Sequence, residues 1–319
     1  MILAVSNLKN PSPLSDGYRG RFAPSPTGPL HAGSLVAALG SWLDARKNGG
    51  KWLLRIEDID TPRCVPGADQ EILRQLLACG LQWDEKISWQ SSHQERYQRA
   101  LERLNTLKCL YPCTCSRQAI SNTLAALGIE TPRNQEVIYP GSCRPASILM
   151  NDLGNTPSQK LAWRLALPTG CQVEFEDLRL GHQQQNLNDQ VGDFVLCRND
   201  GLFTYQLAVV VDDAEQAITH VVRGVDLLSN TARQIHLQEL LGYPRPQYLH
   251  LPLVLDEQGE KLSKQTLATT IHAQDAKQAL QELRKAALHL GLKGLPAGDT
   301  TSIAEWLLAA THAWDYRSI

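Results

Sequence analysis

The 319-residue sequence contains no run approaching the roughly 18 consecutive apolar residues of a membrane-spanning helix, so no spanning segment is expected. Its opening MILAV is too short, and lacks the basic flank, to read as a secretory leader, and a cytoplasmic location is the default that follows. Charge of one sign is missing as well. The 31 basic residues stand against 33 acidic ones, a net charge of −2, so composition alone points to neither a nucleic acid nor a lipid surface. Any polyanion partner must then be held by local patches. Internal repeats and low-complexity tracts are also lacking.

Cysteine is present in quantity, with eight residues that stay reduced in the cytoplasm. Cys64, Cys79, Cys109, Cys171 and Cys197 are scattered among apolar neighbours and read as small buried hydrophobes. A different pattern stands in YPCTCSR, which sets Cys113 and Cys115 one residue apart, and in IYPGSCR, which adds Tyr139 and Cys143. Thiolates so close together suit a tetrahedral Zn²⁺, which takes four nitrogen, sulfur or oxygen ligands. The Cys-x-Cys pair alone is equally compatible with two ordinary thiols.

With 43% hydrophobic residues the chain can bury a substantial core, and its length predicts two to three domains. Residues 1–18 read as a turn-rich extension. GRFAP and KWLLRIEDID read as strands, separated by the helical pattern SLVAALGSWLDARK; PGADQEILRQLLACGL and SSHQERYQRALERLNTLKCL follow as helices. That alternation predicts an α/β fold of Rossmann type, a parallel sheet with crossover helices. From 112 to 188 the texture is broken by proline, glycine and polar residues, as expected of an insertion. The sheet pattern resumes at 189, where DFVLCRNDG, TYQLAVVVDDA and ITHVVRG each read as a buried strand or strand-like core segment. The expected organisation is an α/β unit split into 19–111 and 189–270, an insertion at 112–188 that carries the cysteine cluster, and a helical region at 271–319. Ser302 and Glu305 form a capping box in that last region.

Chemistry concentrates in RFAPSPTGPLHAGSL. A strand that ends in a stiff turn and passes at once into a helix brings backbone N–H groups and a helix dipole to one point, which favours phosphate. His31 and Gly33 stand at that point. Far downstream, GEKLSKQ sets Lys261 and Lys264 around Ser263 on a glycine-led loop, and such cations stabilise charge developing on a nucleotide. Each element alone also fits a solvated surface.

Together they resemble the class I aminoacyl-tRNA synthetases, in which a HIGH turn and a KMSKS loop bind ATP. Here these stand as His31-Ala32-Gly33-Ser34 and Lys261-Leu262-Ser263-Lys264-Gln265. RFAPSPTGPLHAGSL, RIEDID, TYQLAVVVDD, ITHVVRGVDLLSNTARQ and LPLVLDEQGEKLSK look like the glutamate-specific branch, over roughly residues 19–270. The resemblance implies a catalytic pair in His31 and Lys264, with ATP also held by Gly33, Lys261 and Ser263. It implies glutamate binding by Arg21, Phe22, Ala23, Pro24, Ser25, Glu57, Tyr205 and Arg223. The chemistry of these side chains agrees. A guanidinium fork can hold a carboxylate bidentately, and Glu57 suits the substrate ammonium.

In one subgroup of the branch the insertion carries a Cys-x-Cys, Tyr-x-x-x-Cys zinc site, which implies Cys113, Cys115, Tyr139 and Cys143 as ligands, with His182 a weaker substitute. Only about fifty residues follow Gln265, too few for an anticodon-binding domain. This shortness, with the cysteine pattern, resembles the subgroup that activates L-glutamate with ATP, the nucleotide carrying Mg²⁺, without RNA present. That subgroup loads the glutamate onto queuosine in the anticodon stem-loop of tRNA(Asp). A monomer is expected. Two other readings stay open: charging of a tRNA 3′ end, and a non-catalytic RNA-binding module. A nucleotidylyltransferase making a small-molecule adenylate shares the fold and is a third.

Overall fold

The structure is a computed structural model and describes residues 17–129, 137–149, 161–254, 270–298 and 300–319. Residues 1–16, most of the expected extension, lie outside it, as do Lys261, Ser263 and Lys264.

β1 (Arg19–Phe22) gives way to Pro24 and Pro26, which lack the N–H a ladder needs and bias the residues before them away from helix. α1 (Ala32–Lys47) starts after His31, whose Nδ1 accepts the Ser34 N–H at 3.3 Å. β2 (Lys51–Ile56) pairs parallel to β1, α2 (Ala68–Ala78) crosses back, and β3 (Ser88–Trp89) pairs parallel to β2. α3 (Gln94–Thr106) then leads into the inserted span.

There β4 (Leu110–Cys113) and α4 (Arg117–Ala126) precede β5 (Ala162–Leu165) and the antiparallel hairpin of β6 (Gln172–Asp177) and β7 (Gly181–Asn186). The single turn α5 (Leu187–Gln190) and β8 (Phe194–Cys197) follow, and β8 joins β4 and β5 in an antiparallel sheet. α6 (Tyr205–Glu215), β9 (His220–Gly224), α7 (Leu228–Leu241) and β10 (Gln247–Leu251) complete the second half. α8 (Ala276–His289) and α9 (Ile303–Ala313) end the described chain, the latter opened by the Ser302–Glu305 capping box.

One expected strand is a helix. TYQLAVVVDDA forms α6, whose residues 207–213 are all buried. A helix covered on every side shows no amphipathic period, so its apolar run looks like a buried strand; its 11 residues exceed the usual strand length.

β9 and β10 pair parallel in full register, and β6 attaches to β10 through Tyr248 and Asp177. The hairpin at 172–186 thus extends the parallel sheet although it lies in the span expected as an insertion. β1 packs beside β9, where the Thr219 N–H donates to the Arg19 carbonyl at 2.9 Å. The strands therefore run β3, β2, β1, β9, β10, β6, β7 across the molecule. The chain turns outward from β1 in one direction and from β9 in the other. That reversal opens a crevice at the carboxyl ends of β1 and β9, the place where open α/β sheets bind ligands.

Two apolar cores support the crevice. One packs α1, α8 and α9 against the sheet through Leu35, Leu39, Trp52, Trp306 and Trp314. Gly40 permits this approach, since a Cβ there would stand 2.6 Å from the Leu251 side chain. Buried Asp44 ties the C-terminal helices to β1, accepting from Trp314 Nε1 at 2.8 Å and from the Tyr18 hydroxyl at 2.5 Å. The other core joins α3, α6 and α7. No described helix is long and apolar enough to cross a membrane.

Candidate active site and cysteine cluster

A cavity of about 460 Å³ occupies the crevice, and Arg21, Phe22, Ala23, Pro24, Ser25, His31, Gly33, Glu57, Tyr205 and Arg223 all line it. The structure thus brings together every described residue expected to meet ATP or glutamate. The turn between β1 and α1 is held from several sides. Glu57 N–H donates to the Pro24 carbonyl at 2.9 Å, and Val65 N–H to that of Pro26 at 2.9 Å. Gly28 takes a φ of 140°, which residues with a Cβ rarely adopt.

Beneath the cavity lies a buried ion network. Arg21 Nε donates to Asp213 at 3.2 Å, and fully buried Arg55 donates to Asp213 at 2.7 Å and reaches Glu57 at 3.4 Å. Burial, only partly offset by the Arg55 and Arg21 charges, pushes the Glu57 carboxyl up from 4.5 to about 7. Burial acts on Asp213 in the same sense, but the Arg21 and Arg55 guanidiniums outweigh it and hold that carboxyl below its ordinary value. A ligand ammonium beside Glu57 would favour the ionised form.

The two cavity arginines differ. Arg21 uses only Nε, and its two Nη groups have no hydrogen-bond partner among the described residues, so its outer edge suits a bidentate carboxylate. Arg223 is nearly saturated: Nε donates to His250 at 3.1 Å, Nη1 to Tyr205 at 3.3 Å and Gln234 at 2.8 Å, and Nη2 to Thr231 at 2.8 Å. Four of its five N–H groups are engaged, which restricts it to a single-point contact unless the bond to Tyr205 is exchanged. Gln206 donates to Asn230 at 2.5 Å and accepts from Gln234, tying α6 to α7 beside Arg223.

His31 caps α1 through Nδ1, which requires that nitrogen unprotonated; in the neutral ring the proton is then on Nε2. Donor and helix N-terminus face one cavity. Val254 lines the same cavity, and Thr270 forms a bridge with His31, so both residues flanking the span 255–269 stand at this site. Gln75 on α2 pins this junction, accepting the Leu30 N–H at 2.8 Å and donating to the Ile271 carbonyl at 3.4 Å.

The second cluster is at the end of β4. Cys115 Sγ lies 3.4 Å from Cys143 Sγ, and the Tyr139 hydroxyl is 3.5 Å from Cys113 Sγ and 3.6 Å from Cys115 Sγ. Sulfur ligands about 2.3 Å from a tetrahedral zinc stand about 3.8 Å apart, so these separations fit such an ion after small adjustments. The donor chemistry fits too. Burial opposes it, yet hydrogen bonds from the Thr114 backbone, Tyr139 and Cys115 pull the Cys143 thiol down to about 6. Arg164 stacks on the Tyr139 ring with its guanidinium carbon 3.7 Å from the centroid. His182 stands apart on the exposed hairpin, 3.0 Å from Glu176. Of the remaining cysteines, Cys79, Cys171 and Cys197 are buried as expected, while Cys64 and Cys109 are half-buried.

Residues 18–305 match the family of tRNA synthetases class I (E and Q), catalytic domain. The chain belongs to the class I tRNA synthetases. A glutamyl-Q tRNA(Asp) synthetase from Cupriavidus metallidurans is 53% identical over 304 residues, covering 94% of this chain and 92% of that protein. Another of that name, from Albidiferax ferrireducens, is 51% identical over 93% of this chain and 98% of its own length. Among solved structures, a glutamate tRNA ligase from Elizabethkingia meningosepticum in complex with its amino acid is similar at 28% identity and a TM-score of 0.75. That match covers 95% of this chain and 66% of the ligase.

As a class I synthetase the chain is a ligase, and ATP use comes with the family. Sequence reasoning missed several residues that shape this synthetase's site: Arg55, Gln75, Asp177, Asp213, Thr231 and His250. Arg55 and Asp213 were within view, in RIEDID and the Asp-Asp pair of TYQLAVVVDD, because charges inside apolar runs must find partners.

Proposed function

We propose that this synthetase joins L-glutamate to ATP to form glutamyl-adenylate without needing RNA, then transfers the glutamate to the queuosine base at the wobble position of tRNA(Asp). The observation that carries the first step is the single cavity in which Arg21, Glu57 and Arg223 face His31 and the start of α1. Arg21 and Arg223 supply guanidiniums for the two substrate carboxylates, and Glu57 takes the ammonium. Phe22, Ala23, Pro24 and Ser25 form the wall between them, and Tyr205 closes the floor. Fixing both ends at a set separation discriminates against aspartate, since one methylene alone is worth only about 1–3 kcal/mol.

In the first step an α-carboxylate oxygen attacks the α-phosphorus of ATP, entering as its Mg²⁺ complex, and pyrophosphate leaves. His31 Nε2, the amides of the α1 N-terminus with Gly33, and Lys264 stabilise the charge that builds on phosphorus, with Lys261 and Ser263 holding the nucleotide. The three last residues lie outside the described chain, and the support for them is the position of Val254 and Thr270 at either end of their segment. In the second step a hydroxyl of the queuosine cyclopentenediol attacks the carbonyl of the mixed anhydride, and AMP leaves. The acceptor rests on the relatives named glutamyl-Q tRNA(Asp) synthetase, which this chain matches over 92–98% of their length.

Cys113, Cys115, Tyr139 and Cys143 would hold one Zn²⁺, which supplies cross-linking where the fold has few apolar contacts. Residues 19–111 and 189–270, extended by the hairpin at 172–186, form the catalytic unit in this reading, with the rest of 112–188 meeting the anticodon stem-loop and 271–319 buttressing α1. We place the enzyme in the cytoplasm as a monomer. The test is glutamate-dependent ATP–pyrophosphate exchange without RNA, followed by transfer to anticodon stem-loop and acceptor-stem fragments. Exchange without RNA and alkali-labile label on the stem-loop fragment are expected. Label on the acceptor end would instead establish tRNA 3′-end charging, and absence of exchange would refute the first step.

A further inference from the structure

Arg223 is gripped from behind by residues outside the cavity. His250 stands directly across the parallel pair from Arg223, is fully buried, and is not among the residues lining the cavity. An arginine only donates, so the 3.1 Å contact between Arg223 Nε and His250 Nε2 requires an unprotonated Nε2. The ring proton is therefore on Nδ1, where Asp177 accepts it at 2.6 Å. Asp177 is itself fixed, accepting the N–H groups of Arg179 at 3.1 Å, Leu180 at 2.9 Å and His250 at 3.1 Å. Arg179 returns to the same strand, its Nε donating to the His250 carbonyl at 2.5 Å.

The result is an oriented chain, Asp177 to His250 to Arg223, that crosses three adjacent strands. Burial, countered only in part by the Asp177 hydrogen bond and reinforced by the Arg223 charge, pushes His250 below its ordinary value and keeps the ring neutral. Without the His250 acceptor, a buried cationic N–H would lose its partner, and the guanidinium plane would be held by its Nη groups alone. We propose that His250, oriented by Asp177, is a positioning residue that sets the Arg223 guanidinium for the glutamate carboxylate. The hairpin β6–β7 thereby contributes to amino-acid affinity without touching the substrate. This inference rests on the assignment of Arg223 to the glutamate pocket.

Two near-isosteric amides separate the roles of the two ring nitrogens. His250→Gln puts a carbonyl near the Nε2 position and retains an acceptor for Arg223; His250→Asn retains a donor toward Asp177 but leaves Arg223 Nε unpaired. The assay is ATP–pyrophosphate exchange, titrated separately in glutamate and ATP, with Arg223→Ala as the reference and thermal melting as the check on folding. Loss of a hydrogen bond to a charged group predicts a rise of about tenfold in the glutamate KM of His250→Asn, the ATP KM staying within about twofold. His250→Gln is expected to restore most of the affinity. A role confined to joining β6 to β10 would give the reverse order, with Asn benign and Gln harmful, and would overturn the proposal. Should His250→Asn not fold, Asp177→Asn decides: it removes the orienting charge and is expected to raise the glutamate KM alone. An unchanged KM there also refutes the idea. If Arg223→Ala moves the glutamate KM and no His250 or Asp177 variant does, the relay fails and the pocket stands. If Arg223→Ala leaves it unmoved, the pocket assignment itself falls.

Discussion

Glu57→Gln should make the protein more stable while disabling its handling of glutamate. In the folded chain the Glu57 carboxyl ionises near 7 instead of 4.5, because burial outweighs the attraction of Arg55 and Arg21. The folded state therefore binds more protons than the unfolded state between about 4.5 and 7, and stability falls as pH rises through that window. Above pH 7 the cost of holding the ionised group is complete, about 3 kcal/mol at pH 8, and it shrinks below about 1 kcal/mol at pH 5. Glutamine keeps the acceptor that faces Arg55 at 3.4 Å but carries no charge. Urea denaturation of the two proteins should show a gain for the variant approaching 3 kcal/mol at pH 8 and little at pH 5. The same substitution removes the counterion of the substrate ammonium, so the glutamate KM in pyrophosphate exchange should rise about 10- to 100-fold with the ATP KM unmoved. A variant less stable at pH 8, a gain equal at both pH values, or an unchanged glutamate KM would each refute the reasoning.

Other perturbations address separate parts of the molecule. In the unsubstituted enzyme the glutamate KM should rise about tenfold from pH 8 to pH 6, as Glu57 takes up a proton that the bound ammonium must expel; a flat profile would contradict this. Cys113→Ser should lower the bound zinc measured by atomic absorption, and unchanged content would remove the metal assignment. His31→Ala should reduce the maximal exchange rate by about 10²-fold or more, the scale of losing one donor to a developing anion. Trp306→Ala, at a fully buried position in the core beneath α1, should cost about 3–5 kcal/mol of stability and leave both KM values near their starting point. Binding of tRNA(Asp) should weaken linearly in log–log plots against salt, since phosphate contacts release counterions; an affinity flat in salt would exclude RNA as the partner.

Much of the fold was legible because local signals and global architecture agree. The prolines after β1, the capping box at Ser302 and the strand–helix alternation up to Ala78 all appear where the sequence pattern puts them. Where the reading failed, the physics was non-local. TYQLAVVVDDA became α6 because helices α3 and α7 cover it, a fact no window on that segment contains. The pairing of β6 with β10 joins residues 71 positions apart, Asp177 and Tyr248, so an apparently inserted hairpin proved to be part of the catalytic sheet. The same distinction holds for the site. The side chains facing the cavity were legible through their motifs, whereas His250 and Asp177, which act on Arg223 from behind, were not. Their importance depends on hydrogen bonds between strands, and no spacing rule encodes those. Arg223 illustrates the gain: the sequence supports a bidentate fork, and the structure shows four of its donors already committed.

We propose that this class I synthetase delivers activated glutamate to a modified anticodon base. The most direct measurement is transfer of labelled glutamate from preformed adenylate to two samples of tRNA(Asp), one carrying queuosine and one lacking it but otherwise identical. Alkali-labile label is expected on the queuosine-containing tRNA alone, and on its anticodon fragment after nuclease cleavage. Equal labelling of both samples, carried on the 3′-terminal fragment, would contradict that reading.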